Sequence, residues 1–192
     1  MEMPGHRHHH AGRSSRDILN ADEVAAGLGL KNGMSVLDLG CGDGHLSLGA
    51  SRVVGDRGVV HAFDVDEHAI TSLRSEIEER NIQNIHPMIA DVTRRLPLDD
   101  RSIDCVLVAN VMHGFAANGE LDVVLPEVRR VLKESGLLGV VEFKKVKDTP
   151  GPPLSVRLSP AELDSVITPF GFRLMGTVGT GQFHYLALYG PC

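Results

Sequence analysis

The chain has 192 residues, 42% of them hydrophobic and 23% charged, and carries a formal net charge of −6. That is enough chain for one domain with a large core, and its composition is ordinary for a soluble globular protein. The acidic balance excludes a general electrostatic pull toward nucleic acid or an anionic membrane, and the basic pairs Arg94-Arg95, Arg129-Arg130 and Lys144-Lys145 are too short to form a basic stripe.

Residues 1–16 are polar and rich in histidine, and read as a flexible arm ahead of a single domain over residues 17–192. His6, His8, His9 and His10 bring no carboxylate or cysteine partner, so they specify no metal geometry and no metal site is expected. Asn20 with Glu23 has the form of a capping box and opens a helix through residue 30. Strand and helix signals then alternate. Strands are expected at residues 34–39, 58–64, 85–90, 103–110 and 136–143, and helices at 45–54, 66–81 and 121–134. The strand at 103–110 is apolar at its centre, as a strand buried on both faces should be. A charged, proline-rich loop follows at 144–153, and Ser159-Pro160 signals a further helix. Two closing strands, 172–178 and 183–189, are separated by so few residues that they must pair antiparallel. The expected architecture is α/β: a Rossmann-like, doubly wound sheet of seven strands, mostly parallel with an antiparallel C-terminal hairpin.

Cys41, Cys105 and Cys192 are an odd set with no close pairing, and no CxxC pattern is present. No apolar run approaches the length of a membrane span and no signal peptide is recognisable, so a cytoplasmic setting is expected. No feature sets an oligomeric state.

Chemistry concentrates at the ends of the parallel strands, where open α/β sheets bind their ligands. Val36-Leu37-Asp38-Leu39-Gly40-Cys41-Gly42-Asp43-Gly44 runs from a buried strand into a glycine turn and a helix start. Asp38 is the unusual member. A phosphate cradle would avoid a carboxylate there, whereas a ligand bearing an ammonium group would use one. A nicotinamide dinucleotide site needs GxGxxG, but position 45 is histidine and the third glycine comes one residue early. Asp64 ends the second strand, where an acid can accept both hydroxyls of a ribose. Asp91 follows the third strand and Asn110 ends the fourth.

The ordered segments VLDLGCGDG, VVHAFDVD, MIADV and IDCVLVAN resemble the successive motifs of class I S-adenosylmethionine-dependent methyltransferases, and the closing hairpin is similar to theirs. Within that class the chain resembles the small methyltransferases that include the ubiquinone/menaquinone biosynthesis group, although the longer quinone-specific segments are missing. The resemblance implies S-adenosylmethionine as cofactor and S-adenosylhomocysteine as product. It implies that Asp38 with the Gly40-Cys41-Gly42 backbone holds the methionine part. Asp64 would bind the ribose with Val65 against the adenine, and Asp91 would take the adenine amino group with Val92 beside it. Asn110 would offer its carbonyl to the ammonium.

On the acceptor side, His113 after the fourth strand and His184 at the start of the last are the candidates for a base or an orienting group. The alternatives are that His113 packs at a helix start and that His184 faces solvent. His45 is a third, weaker candidate, and Tyr185 and Phe115 are second choices as platforms. The expected function is methyl transfer to a small molecule by in-line displacement. RNA or protein methylation, and a non-catalytic cofactor-binding regulatory module, stand as alternatives. Asn110-Val111-Met112-His113 lacks the Asn/Asp-Pro-Pro-Tyr pattern of enzymes that methylate base amino groups.

Overall fold

A computed structural model describes residues 15–192, so the histidine-rich segment 1–14 and the metal alternative attached to it lie outside the described residues. Ser15–Asp17 forms a 3-10 turn. Helix α1 (Ala21–Gly27) follows, capped by the Asn20 side chain, which accepts from the N–H groups of Asp22 and Glu23. It stops short of residue 30 because Gly27 and Gly29 follow one another closely, Gly29 with φ of +65°.

The sheet is built from β1 (Ser35–Leu39), β2 (Val59–Asp64), β3 (Ile85–Ile89), β4 (Ile103–Ala109), β5 (Leu132–Phe143), β6 (Phe172–Thr180) and β7 (His184–Pro191). Its order is β3-β2-β1-β4-β5-β7-β6. The first five strands run parallel, and β7 inserts antiparallel between β5 and β6. This is the expected seven-stranded α/β sheet. Its C-terminal edge gathers the ends of β1 to β5 and the start of β7. The order in which strands are added reverses between β1 and β4, and that switch point is where such sheets open a crevice.

Helices α2 (His45–Val54), α3 (Glu67–Glu79), α4 (Met112–Asn118), α5 (Leu121–Val131) and α6 (Pro160–Ile167) complete the layers. One core packs β1, β4 and β5 against α4, α5 and α6 through residues such as Leu39, Val108, Leu125 and Leu163. The other packs the opposite face against α1, α2 and α3 through Val36, Leu107, Leu46 and Leu73. Successive β1 residues alternate between the two cores, as the pleat requires.

The expected helix over 121–134 ends earlier, at Val131, and β5 begins at Leu132 rather than 136. Leu132 is fully buried, takes extended backbone and pairs with Ile103. Burial of one leucine against β4 outweighs the helix preference of Lys133 and Glu134, which lie on the partly exposed start of the strand. Helix α4 was not among the expected helices, although a helix start at His113 stood as an alternative, and the reason lies in the site. Among the described residues no helix is long and apolar enough to cross a membrane.

Candidate active site

The turn from β1 into α2 is shaped by three glycines at positive φ: Gly40 at +79°, Gly42 at +52° and Gly44 at +75°. Gly44 caps α2 and lies so close to Leu73 that any side chain would drive into it. Gly42 is different: a Cβ there would meet nothing within 4 Å. Its backbone faces open space, so a ligand can approach the peptide itself. The Gly40 and Cys41 N–H groups both donate to the Phe63 carbonyl, at 2.8 and 3.0 Å, which ties the turn to the end of β2. Cys41 is buried, and its thiol is pushed up by desolvation and by Asp38 and Asp64, so it acts as an inert wall.

Asp38 is 1% exposed, and the hydrogen bond it accepts is from the Ser47 hydroxyl of α2, at 2.5 Å. Loss of solvation raises its pKa to about 7, against the pull of Ser47 and with help from the charge of Asp64. A buried carboxylate held so poorly is suited to a cation. Across the switch point stands Asn110, in the left-handed region at φ +60°, a conformation asparagine adopts more readily than most residues. Its Oδ1 is buried and meets no donor among the described residues. Two acceptors, one charged and one orphaned, therefore border the same turn.

Asp64 closes β2 with one oxygen on the Gly42 N–H (2.7 Å) and the other on the Asp66 N–H (2.9 Å). A carboxylate has about four lone-pair sites, so acceptor capacity remains on both oxygens. Val65 beside it is 46% exposed, an apolar surface at the crevice. Asp91 turns into its own loop, accepting from the Thr93 N–H and hydroxyl and from Arg94, which hold its carboxyl below the usual range. Val92 is 6% exposed and belongs to the core. Arg16 bridges Asp43 of the glycine turn (2.8 Å) to Glu76 of α3 (2.6 Å), so the chain entering α1 is pinned over the turn. His45 spends Nε2 on the Leu19 carbonyl (2.9 Å), a structural bond.

The acceptor side holds a residue that sequence reasoning missed. Glu142, fully buried near the end of β5, accepts the His113 N–H at 2.9 Å and meets His113 Nδ1 at 2.8 and 3.0 Å. Helix α4 has no side-chain cap of its own at Val111; Glu142 from a distant strand serves that end. That explains why no local signal announced α4. The contact of Nδ1 with both carboxylate oxygens fixes the plane of the ring and leaves Nε2 on the side away from Glu142. His113 is therefore both packed and oriented. His184 does not face solvent: it is fully buried, with its ring centroid 4.1 Å from that of Phe143. Burial, with Lys144 and Arg157 nearby, lowers its pKa to about 4. Adjacent strand residues point to opposite faces, so Glu142 meets His113 on one side and Phe143 meets His184 on the other. The structure does not bring the two histidines together.

Residues 30–166 match the family described as Methyltransferase domain. The chain belongs to that family. It is 34% identical over 119 residues to the ubiquinone/menaquinone biosynthesis C-methyltransferase UbiE of Paraburkholderia phytofirmans, covering 62% of this chain and 47% of that one. The chain thus spans about half the length of the curated relatives it matches. Among solved structures it is similar to a SAM dependent methyltransferase from Aquifex aeolicus, at a TM-score of 0.84 and 25% identity over 94% of both chains. The [4+2]-cyclase SpnF has the same fold at a TM-score of 0.73 and 17% identity, over 89% of this chain and 79% of that one. Fold by itself therefore does not name the reaction, and the site has to.

Within this methyltransferase domain, Asp38, Gly40, Cys41, Gly42, Asp64 and Asn110 are brought together at the switch point. Val65 borders it, Asp91 lies at its far end and Val92 is drawn into the core. Tyr185 is buried with its hydroxyl on the Leu158 carbonyl (2.7 Å), and Phe115 is a core residue, so neither is a platform. Ser47 and Glu142 are the additions. For Glu142 a signal existed: a lone carboxylate closing the apolar run Val140-Val141-Glu142-Phe143 at the ligand edge. No group of three His, Cys, Asp or Glu placed to hold a metal occurs among the described residues.

Proposed function

We propose that the chain transfers a methyl group from S-adenosylmethionine to a small-molecule acceptor. The observation that carries the reading is the pair of acceptors at the glycine turn: the desolvated Asp38 carboxylate, which has no cation beside it among the described residues, and the orphaned Asn110 Oδ1. A methionine ammonium is the group that would satisfy them, and the open side of Gly42 leaves room for the chain that bears it. The spare lone pairs of Asp64 suit a ribose diol, Val65 an adenine face, and the remaining site on Asp91 an exocyclic amine. The residues present thus fit the cofactor end to end.

When bound, S-adenosylmethionine would supply a methyl carbon open to in-line attack by an acceptor atom, the S–CH3 bond breaking as S-adenosylhomocysteine leaves. The protein's contribution is to hold the two reactants aligned and dry, which supplies much of the rate. His113, oriented through Nδ1 by Glu142, takes at Nε2 the proton of an acceptor that still carries one. A module that only bound the cofactor would have no use for this pair, so the reading is catalytic. A small acceptor is favoured because the basic pairs are engaged in the fold: Arg94 with Asp91, Arg130 with Glu127 and Asp100, and Lys145 with Glu162. The free, buried Cys41 and Cys105 suit a reducing compartment, and we place the protein in the cytoplasm.

Incubation with methyl-labelled cofactor and a cell extract tests this directly. Label should appear in the fraction of small metabolites. Label confined to RNA or protein, or no transfer to any fraction, would contradict the reading. Asp64→Ala is expected to weaken S-adenosylmethionine binding by roughly 10²-fold, since a hydrogen bond to a charged group is worth about 1.5–3 kcal/mol. The variant also frees the Gly42 N–H. A calorimetric dissociation constant that stays put would remove Asp64 from the site.

A further inference from the structure

Strand β7 opens on a histidine that the fold buries and leaves unbonded. His184 is fully buried, and neither ring nitrogen meets a hydrogen-bond partner among the described residues. Thr180 stands directly opposite it across the β6–β7 hairpin, is 4% exposed, and has an equally unpartnered hydroxyl. Cross-strand partners share a face, so three orphaned polar atoms stand side by side. Buried polar atoms are nearly always bonded, and leaving one unpaired is costly. Valine and phenylalanine would pack these positions at no such cost.

The surrounding charge indicates what the pair receives. Lys144 Nζ donates to the Gly181 and Gln182 carbonyls at the hairpin turn, 3.3 and 2.9 Å away. Arg157 is 4% exposed and sits 5.4 Å from the centroid of the Phe143 ring that contacts His184. Its guanidinium bonds only neutral oxygens: the carbonyls of Lys144, Val146, Thr149, Pro150 and Pro152, and the Thr149 hydroxyl. Neither cation has a carboxylate partner among the described residues. Two neutral donors, an imidazole N–H and a hydroxyl, thus lie in uncompensated positive surroundings. The segment 144–157 is gathered around Arg157 and lies close on Phe143 at Gly151, so a ligand reaches this pair only when that segment shifts.

We propose that Thr180 and His184 form the acceptor-recognition site and bind an oxyanion, carboxylate or phenolate, carried by the molecule that is methylated. This rests on the methyl-transfer reading above, and it gives His184 a recognition role in place of proton transfer.

The test uses the intact protein loaded with S-adenosylhomocysteine and three probes: benzoate, 4-nitrophenolate at a pH where it is ionised, and neutral benzamide. Binding is read by calorimetry and by the imidazole ¹⁵N signals, with His184 assigned from the H184F spectrum. At least one anion should bind and shift the His184 signals while benzamide does not, and the anion that binds tells carboxylate from phenolate. The T180V/H184F double variant should lose that binding at least tenfold, keep its S-adenosylhomocysteine affinity, and unfold at an equal or higher temperature. The proposal is overturned if benzamide binds as well as the anions, if the double variant binds them unchanged, or if saturating anion leaves His184 unshifted. Failure of the wild-type protein to bind S-adenosylhomocysteine would sink the cofactor reading instead, and the same anion titrations without it would still decide this site.

Discussion

Asp38→Asn is expected to make the ligand-free protein more stable at pH 8 while removing most of its affinity for S-adenosylmethionine. The folded protein holds the Asp38 proton up to a pH of about 7, against an ordinary value of 3.8 for an unfolded aspartate. Between those values the unfolded chain binds fewer protons than the folded one, so stability falls as pH rises. The penalty is absent below pH 4, accumulates from about pH 4 to 7 and is fully present above. At about 1.4 kcal/mol per pKa unit the penalty is roughly 4 kcal/mol. Asparagine keeps an oxygen for the Ser47 hydroxyl and carries no charge, so the penalty disappears. Thermal unfolding should show a variant gain of about 8–16 °C at pH 8 and a clearly smaller one at pH 5. Affinity should fall by 10²-fold or more, because an ammonium loses its only buried counter-charge. A variant less stable at pH 8 that binds the cofactor normally would show that Asp38 is structural.

Glu142→Gln and His113→Ala should each lower turnover on the true acceptor by about 10²–10⁴-fold, the range over which a positioned base acts. Cofactor affinity should change by less than threefold in both. The glutamine variant is the more informative. It retains an oxygen that can accept the His113 N–H at the start of α4, so the helix cap survives, but it offers no carboxylate to Nδ1. Pre-ionised acceptors should be methylated by the variant at near wild-type rates. A parallel loss of rate, cofactor affinity and unfolding temperature would make the pair a packing element.

The turn proposed to hold the cofactor could be singled out in the sequence because its signals are local. A strand, a carboxylate and alternating glycines follow one another within nine residues, and Asp64 closes the next strand at the same edge. The acceptor half could not be, because its groups meet only in three dimensions. Glu142 and His113 are 29 residues apart, and the helix that presents His113 takes its cap from β5 rather than from its own flanking residues. His184 could be placed at the right edge but not on a face. Only the register of β7 against β5 shows that it packs beside Phe143 and away from His113. The start of β5 was misplaced for a similar reason, since Lys133-Glu134 read as helix until Leu132 finds Ile103.

The account stands most directly on a calorimetric titration of the full chain with S-adenosylmethionine at pH 8. It predicts one binding site per chain and a raised unfolding temperature on saturation. It also predicts little proton release per site from Asp38, which is already ionised at that pH. Repeated at pH 6, where the ligand-free protein holds the Asp38 proton, binding should release close to one proton as the ammonium takes its place. No heat of binding, or proton exchange that is the same at both pH values, would contradict the assignment of the crevice around Asp38 as the cofactor site.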